Sequence, residues 1–215
     1  MPLPPGPSDG EIVAAVLAGQ TEQFSVLVQR YERALLQVAL SRLGRRDWAE
    51  DAVQEAFLWA FRSLHTYDSQ FSFRTWLWTI LLNQCRRQYA RHARAAERTP
   101  AGDPAASGIA ETDHPTEPTP GPAAALLMKE RREELERRLA QLPEMQADAL
   151  RLRFFAGLKF PEIAAAMGCS LNSAKMRVKT GLLKLAAGLR GDASASDPAD
   201  SIVDFPATGL PGSGK

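Results

Sequence analysis

The chain has 215 residues, a charged fraction of 24% and a formal net charge of +1 at pH 7, which is typical of a soluble globular protein of one or two domains. Its two cysteines, Cys85 and Cys169, lack the spacing of a zinc site or a disulfide framework. No apolar run reaches the ~18 residues of a membrane span, and the start lacks a signal-peptide pattern. We therefore expect a cytoplasmic protein without membrane insertion.

The small net charge conceals an uneven distribution. Residues 21–98 hold 12 Lys and Arg against 8 Asp and Glu, and residues 123–191 hold 13 against 7. Residues 99–122 hold none against 4, and residues 192–215 hold 1 against 4. Two basic segments separated by acidic ones are the electrostatic signature of a polyanion-binding protein.

The apolar pattern divides the chain into two all-α domains. Residues 1–10 are rich in Pro and Gly and are predicted to be disordered, whereas residues 11–98 have helical periodicity almost throughout. Residues 99–122 contain six prolines and are predicted to form a flexible linker. Helical periodicity returns over residues 123–191, and residues 192–215 are predicted to be a disordered tail. The sequence therefore predicts two helical domains joined by a tether.

The last seven residues, GLPGSGK, match the G-x-x-x-x-G-K pattern of a phosphate-binding loop. The Ser or Thr that would hold magnesium and the helix that would receive the phosphates do not follow. We interpret this match as part of the tail.

The stretch WAEDAVQEAFLWAFRSL, Trp48–Leu64, is predicted to be an amphipathic helix. Its apolar stripe consists of Ala52, Val53, Ala56, Phe57, Ala60 and Phe61. The opposite face presents Asp51, Gln54, Glu55 and Leu58 at i, i+3, i+4 and i+7. That face is either a solvated surface or a binding surface, and periodicity alone leaves both interpretations open.

The next helix begins at FRTWLWTILLN, with Ser72 as its N-cap. Its predicted core stripe is Phe73, Trp76, Leu77, Ile80 and Leu81. Trp78 falls off this stripe, and the polar loop before the helix carries Tyr67. Rings beside cations suit single-stranded nucleic acid, because each ring stacks on a base for ~1–3 kcal/mol while cations follow the backbone. We predict that Tyr67 and Trp78 contact bases; the alternative is that they fill a small helical core.

Three motifs resemble those of sigma factors of bacterial RNA polymerase, of the extracytoplasmic-function group. They are AEDAVQEAF, FRTWLWTILLN and the stretch from LPEMQADALRLRFF to AKMRVKTGLLKL, and they cover about residues 20–98 and 125–187 in the order that the family uses. In that family the acidic helix face binds the clamp helices of the largest subunit of core RNA polymerase. The resemblance assigns this contact to Asp51, Gln54 and Glu55.

The resemblance also implies that the first domain captures one strand of the promoter −10 element. By position, the base contacts fall to Tyr67, Trp78 and Asn83, and the backbone contacts to Arg86 and Arg87. The family usually has Tyr where this chain has Trp78, so stacking is kept while the phenolic hydroxyl is lost.

For the second domain the resemblance implies a helix-turn-helix that binds the −35 element in the major groove. Pro161 is expected at a helix start and Gly168 in the turn, with Asn172 or Ser173 as the cap of the second helix. Core positions are Ile163, Ala164, Met167, Leu171, Ala174, Val178 and Leu182. The predicted DNA-binding residues are Asn172, Ser173, Lys175, Met176, Arg177 and Lys179. The chain departs from the family pattern at Thr180 and Leu182, where arginines are usual, so two phosphate contacts are missing.

Three function classes compete. An enzyme is disfavoured because His65, His92 and His114 have no metal-ligand spacing and no nucleophile motif stands in a credible context. A regulator that uses only the helix-turn-helix leaves the motifs of the first domain unexplained. We therefore predict a sigma factor without cofactor or metal, whose partners are core RNA polymerase and promoter DNA. An anti-sigma factor is a further partner open to a member of this family.

Overall fold

A computed structural model describes residues 6–98 and 122–189, and every regular element in these two ranges is helical. The first range contains α1 (Asp9–Leu17), α2 (Phe24–Leu43), α3 (Arg46–Arg62) and α4 (Phe73–Arg98), with short 3-10 turns at Thr21–Gln23 and Leu64–Thr66. The second contains α5 (Pro122–Ala140), α6 (Glu144–Phe154), α7 (Phe160–Ala166) and α8 (Leu171–Leu189). The predicted all-α class is confirmed for the described residues, whereas most of the predicted linker and tail, with GLPGSGK, lies outside them.

The chain becomes helical slightly before the predicted boundary at residue 11. Ser8 caps α1 reciprocally with Glu11: the Glu11 amide donates to Ser8 Oγ at 3.3 Å, and the Ser8 amide donates to a Glu11 carboxylate oxygen at 2.7 Å. Asp9 then holds α1 against α2 through Arg30 and the Tyr31 hydroxyl. The Pro- and Gly-rich composition concealed this capping box.

The core of the first domain lies between α2, α3 and α4. The predicted stripe of α3 is buried at Ala52, Val53, Ala56, Phe57 and Ala60. The prediction for Phe61 is wrong, because its side chain is 40% exposed at the end of the stripe, where it packs edge-on against Phe24 with ring centroids 5.2 Å apart.

Helix α4 is buried on two faces. The predicted stripe is largely confirmed, with Phe73, Leu77, Ile80 and Leu81 buried and Trp76 half-buried. The prediction that Trp78 lies off the buried surface is wrong: its side chain is 1% exposed, as is that of Leu82. The physical reason is that α7 also packs on α4, so the helix has two covered sides where amphipathic periodicity suggests one.

The second domain places α8 across α6 and α7. Its core includes Leu150, Leu152, Ile163, Ala174 and Val178. Gly181 allows the close approach of α8 to α6, because a Cβ at this position would lie 2.9 Å from a Leu150 methyl carbon. Leu171 and Leu182 were predicted in this core, but they are 44% and 43% exposed, since α8 is covered on one side only.

The two domains contact each other directly. Helix α4 packs on α7, and α2 packs on α6, so the second domain lies against a side of the first that includes its cationic helix α4. The sequence pattern predicts two independent domains on a tether, whereas in the structure the two domains share a buried interface.

Candidate polymerase and nucleic-acid interfaces

The acidic face of α3 is open to solvent. Asp51, Gln54 and Glu55 are exposed, and among the described residues neither Asp51 nor Glu55 forms a salt bridge, whereas Glu50 pairs with Arg46 at 2.7 Å. Two uncompensated carboxylates, i and i+4 on one helix, present a local negative charge to a partner.

An apolar groove of about 610 Å³ runs beside this acidic face, between α2 and α3. Gln54 and Leu58 lie on its α3 side, and the groove continues to Phe24, Phe57 and Phe61. Leu58 and Phe61 are 41% and 40% exposed. Sequence reasoning missed the groove because it placed Phe61 in the core; an apolar residue at the end of a helix stripe was the available signal. The surface therefore joins acidic rim residues to an apolar centre, the composition of a protein-binding site.

Tyr67 lies in an aromatic cluster at the start of α4. Its ring centroid is 5.9 Å from that of Phe73 and 5.4 Å from that of Trp76, and its hydroxyl donates to the Phe71 carbonyl at 2.6 Å. Burial raises the pKa of Tyr67, and the carboxylates of Asp9 and Asp68 raise it further, so the hydroxyl stays protonated at neutral pH. The cluster positions the loop and leaves Phe71 57% exposed, so Phe71 is the aromatic residue that this loop presents to solvent.

The polar residues that follow on α4 do not share one surface. Arg86 donates through Nη1 to Asn83 Oδ1 at 3.0 Å, and its Nε lies 3.6 Å from Glu144 of the second domain. Arg87 is exposed, and Asn83 is half-buried. At 100° per residue, Asn83 and Arg87 lie on the outward side with Trp76, whereas Trp78 lies about 140° away from Asn83, among residues that contact the second domain. The structure thus places Asn83 and Arg87 on one side of α4 and joins Arg86 to Asn83 by a hydrogen bond, whereas Trp78 lies away from Asn83 and Arg87.

A helix-turn-helix occupies residues 160–189. Gly168 has φ +60° in the turn between α7 and α8, a left-handed conformation that favours glycine. The predicted cap at Asn172 or Ser173 is wrong: Ser170 caps α8, since the Ser173 amide donates to Ser170 Oγ at 3.1 Å. Glu162 completes the start of α7 by accepting a hydrogen bond from the Lys159 amide at 2.7 Å.

The closely spaced cations of α8 do not point the same way. Two positions along a helix are about 200° of rotation, so Arg177 is turned away from both Lys175 and Lys179. Those two lysines are exposed and form a stripe with Asn172 and Met176. Ser173 and Arg177 are half-buried on one flank of that stripe, and Arg177 Nη1 is buried without a hydrogen-bond partner.

The described residues contain no cluster of three or more His, Cys, Asp or Glu that could hold a metal ion. Within the same ranges, no helix combines the length and the apolar content that crossing a membrane requires.

Comparisons with known proteins agree with this arrangement. The family model for Sigma-70 region 2 matches residues 27–95, and that for Sigma-70 region 4 matches residues 132–185. The chain is 30% identical to the RNA polymerase sigma-H factor of Pseudomonas aeruginosa over 172 residues, 79% of this chain and 88% of that relative. It is also 30% identical to the ECF RNA polymerase sigma-E factor of Escherichia coli over 173 residues, 80% of this chain and 88% of that relative.

Two solved structures are similar in fold. CnrH in complex with the cytosolic domain of CnrY superposes with a TM-score of 0.61 at 25% identity, covering 85% of this chain and 97% of that one. The sigma factor RpoE in complex with the anti-sigma factor NepR from Bartonella quintana gives a TM-score of 0.60 at 23% identity, covering 80% of this chain and 99% of that one. Both matches extend over the two helical domains.

Proposed function

The chain belongs to the extracytoplasmic-function group of RNA polymerase sigma factors, which direct transcription initiation at specific promoters, and we propose that its two domains divide this work between separate surfaces. The first domain binds core polymerase through α3 and the −10 element through α4. The second binds the −35 element through α8. The observation that carries this division is that each of the three helices keeps functional side chains exposed on a distinct surface.

On α3, Asp51, Gln54 and Glu55 form the rim of the polymerase contact, and the adjoining groove receives apolar side chains. The carboxylates steer a basic partner and set its register, while burial in the groove supplies most of the affinity. The exposed apolar side chains of Leu58 and Phe61 support this assignment.

On α4 and the loop before it, we propose that Asn83, Arg86 and Arg87 bind the −10 strand and that Tyr67 holds the loop in place. Single-stranded DNA is bound by rings that stack on bases and by cations that follow the backbone. Phe71 supplies the exposed ring. Trp78 is not part of this proposal, because its ring is buried in this structure and lies about 140° around α4 from Asn83.

On α8, we propose that Asn172, Lys175, Met176 and Lys179 enter the major groove of the −35 element. Lysines neutralise phosphates or donate to guanine, and an Asn side chain suits adenine. Ser173 and Arg177, both half-buried, flank this stripe and are placed at the edge of the contact.

We further propose that the chain performs no catalytic step and needs no cofactor, since the polymerase itself forms the phosphodiester bonds. It works in the cytoplasm, where its polymerase is. Because both similar structures are complexes with a second protein, in one case a sigma factor with an anti-sigma factor, an anti-sigma factor is a candidate partner of this chain too.

Transcription of fragmented genomic DNA from the source organism tests this function. Core polymerase with the full chain is expected to start RNA synthesis at a set of sites absent with core polymerase alone, and sequencing of RNA 5′ ends would reveal shared −10 and −35 sequences. If the chain binds duplex DNA but adds no start sites and does not co-purify with core polymerase, it acts as a regulator that uses only its helix-turn-helix.

A further inference from the structure

A fully buried carboxylate joins the two domains. Asp148 of α6 is 0% exposed and forms an ion pair with Arg42 of α2 and another with Arg151 of its own helix, the latter at 3.3 Å. The side chains of Arg42 and Arg151 are 8% and 5% exposed. Arg151 also donates through Nε and Nη2 to the hydroxyl and carbonyl oxygens of Ser41, both at 3.0 Å. Charges buried this deeply are stable only when they are paired and hydrogen-bonded.

Further polar contacts surround this cluster. Glu144 at the start of α6 pairs with Arg42 and lies 3.6 Å from Arg86 Nε on α4. Arg74, near the start of α4, donates to the Ala156 carbonyl of the second domain. Two arginines of α4, Arg74 near its start and Arg86 about three turns later, therefore bind the second domain.

The residues between these arginines lie on the same ridge. Arg74, Trp78, Leu82 and Arg86 are spaced four apart, and residues at i and i+4 occupy one side of a helix. Because both ends of the ridge contact the second domain, Trp78 and Leu82 face it as well. Both side chains are 1% exposed, so the second domain covers an apolar pair on α4.

The charges in the cluster depend on Asp148. Burial lowers the pKa of Arg151 and the neighbouring Arg42 lowers it further, an effect that Asp148 opposes. Burial raises the pKa of the adjacent Cys85 thiol to about 12, so the thiol is neutral at pH 7 and supplies no negative charge. Without the Asp148 carboxylate, closing the domains would bury Arg42 and Arg151 with no fully buried anion between them.

The direct contact between the two domains, here called the closed arrangement, conflicts with simultaneous binding of both promoter elements. The −10 and −35 elements are about 25 base pairs apart, or about 85 Å of duplex at ~3.4 Å per base pair. In the structure, α4 contacts the helix-turn-helix at α7, so the two DNA-binding helices belong to one compact body. The 23 residues between Arg98 of α4 and Pro122 of α5 would reach about 80 Å if fully extended, which is long enough for the domains to separate.

We propose that Arg42, Asp148 and Arg151 form a latch that holds the free protein in a closed state, and that this latch opens before both promoter elements are bound. The existence of the latch rests on the contacts alone, whereas its role as an off-promoter state rests on the function proposed above. Opening would release Arg86 from Glu144 and expose Trp78.

Acrylamide quenching of Trp78 fluorescence reports the fraction of molecules in the closed state. Replacing Trp48, Trp59 and Trp76 by Phe leaves Trp78 as the sole tryptophan of the full chain. In this background Trp78 is expected to resist acrylamide quenching. Asp148→Asn leaves the buried cations Arg42 and Arg151 without a buried anion. It is expected to shift the closed-to-open ratio toward the open state by roughly 100-fold or more. Quenching of Trp78 should then rise to that of an exposed indole.

Two further variants separate opening from unfolding. Arg42→Gln acts from the first domain and should also raise quenching, though less, because Asp148 keeps Arg151. Glu134→Gln is the matched control: its carboxylate also faces two arginines, Arg137 and Arg138, but within α5 and away from the interface, so it should leave quenching unchanged. Helix content from circular dichroism, expected to be equal in all variants, shows whether a variant has unfolded.

The latch is refuted if Trp78 is freely quenched in the background protein, or if Arg42→Gln and a folded Asp148→Asn both leave quenching unchanged. Should Asp148→Asn unfold, Arg42→Gln decides alone. These outcomes are independent of transcription: a chain that closes but fails to start RNA synthesis would refute the proposed function and leave the latch standing.

Discussion

The two recognition helices, α4 and α8, differ in how many of their sides are covered. Helix α8 buries Ala174 and Val178 on one side and leaves Lys175 and Lys179 exposed, so it is ready to meet duplex DNA in the closed state. Helix α4 is buried on two sides, and its Arg86 is engaged by Glu144. Under the proposed function, the −35 surface is therefore preformed, whereas Arg86 of the −10 surface becomes available only when the domains separate.

The largest effect on stability is expected at the second buried side of α4. Trp78→Ala should lower the free energy of unfolding by about 3–5 kcal/mol, because it removes a large buried ring and leaves a cavity. Urea denaturation followed by circular dichroism measures this loss.

Trp59→Ala is the matched control on α3, since Trp59 is 44% exposed, and its cost should stay near or below ~1 kcal/mol. Equal stability losses for the two variants would mean that the interface covers Trp78 only loosely, and the contrast between α4 and α8 would disappear.

Charge reversal on α3 tests the polymerase surface, which closure leaves exposed. Asp51→Arg with Glu55→Arg should weaken binding to core polymerase by about tenfold or more, because both rim carboxylates become cations. Binding is measured by fluorescence anisotropy of the labelled chain, with helix content as the check on folding. Polymerase affinity that is unchanged in the double variant would identify this face as a solvated surface.

On α8, the salt dependence of binding to a −35 duplex should distinguish Lys179, on the exposed stripe, from Arg177, on its flank. Lys179→Ala is expected to reduce the slope of log K against log salt by about 0.9, the value for one lost phosphate contact. Arg177→Ala should lower affinity by ~1–3 kcal/mol at a single base position if it contacts a base edge. A uniform loss across sequences would instead assign Arg177 to phosphate.

The smallest effects are expected at the helix caps, which also compare α4 with α8. Ser72 Oγ accepts from the Thr75 amide at 3.2 Å, and Ser170 Oγ accepts from the Ser173 amide at 3.1 Å. Ser72→Ala and Ser170→Ala should each cost about 1 kcal/mol of stability, measured by thermal unfolding. Asn172→Ala is the control, and a cost equal to that of Ser170→Ala would restore Asn172 as the cap.

Much of the fold follows from the sequence because helical periodicity reports on the first layer of packing. The stripes Ala52–Ala60 of α3 and Phe73–Leu81 of α4 were predicted and are largely buried. The family motifs likewise predict the helix-turn-helix and the acidic face of α3. These features depend on residues close together in the chain.

The remaining features depend on contacts between distant residues, which periodicity does not contain. Trp78 was assigned to the surface because its burial comes from a second covered side of α4. Asp148 resembles any charged residue of an amphipathic helix, and only the approach of Arg42, 106 positions earlier in the chain, makes it the centre of an interface. Arg177 was grouped with Lys175 and Lys179 by proximity in sequence, although a half-turn of helix separates their directions.

The division of labour between α4 and α8 is tested most directly by giving the holoenzyme a promoter whose −10 region is already melted. We expect Asn83→Ala with Arg87→Ala to reduce permanganate-detectable opening on duplex DNA and to be rescued in part by the pre-melted template, because captured bases no longer have to compensate for lost stacking, about 1.4 kcal/mol per step. Lys175→Ala with Lys179→Ala should impair the closed complex equally on both templates. Rescue of the α8 variant by the melted template, or no rescue of the α4 variant, would contradict the account.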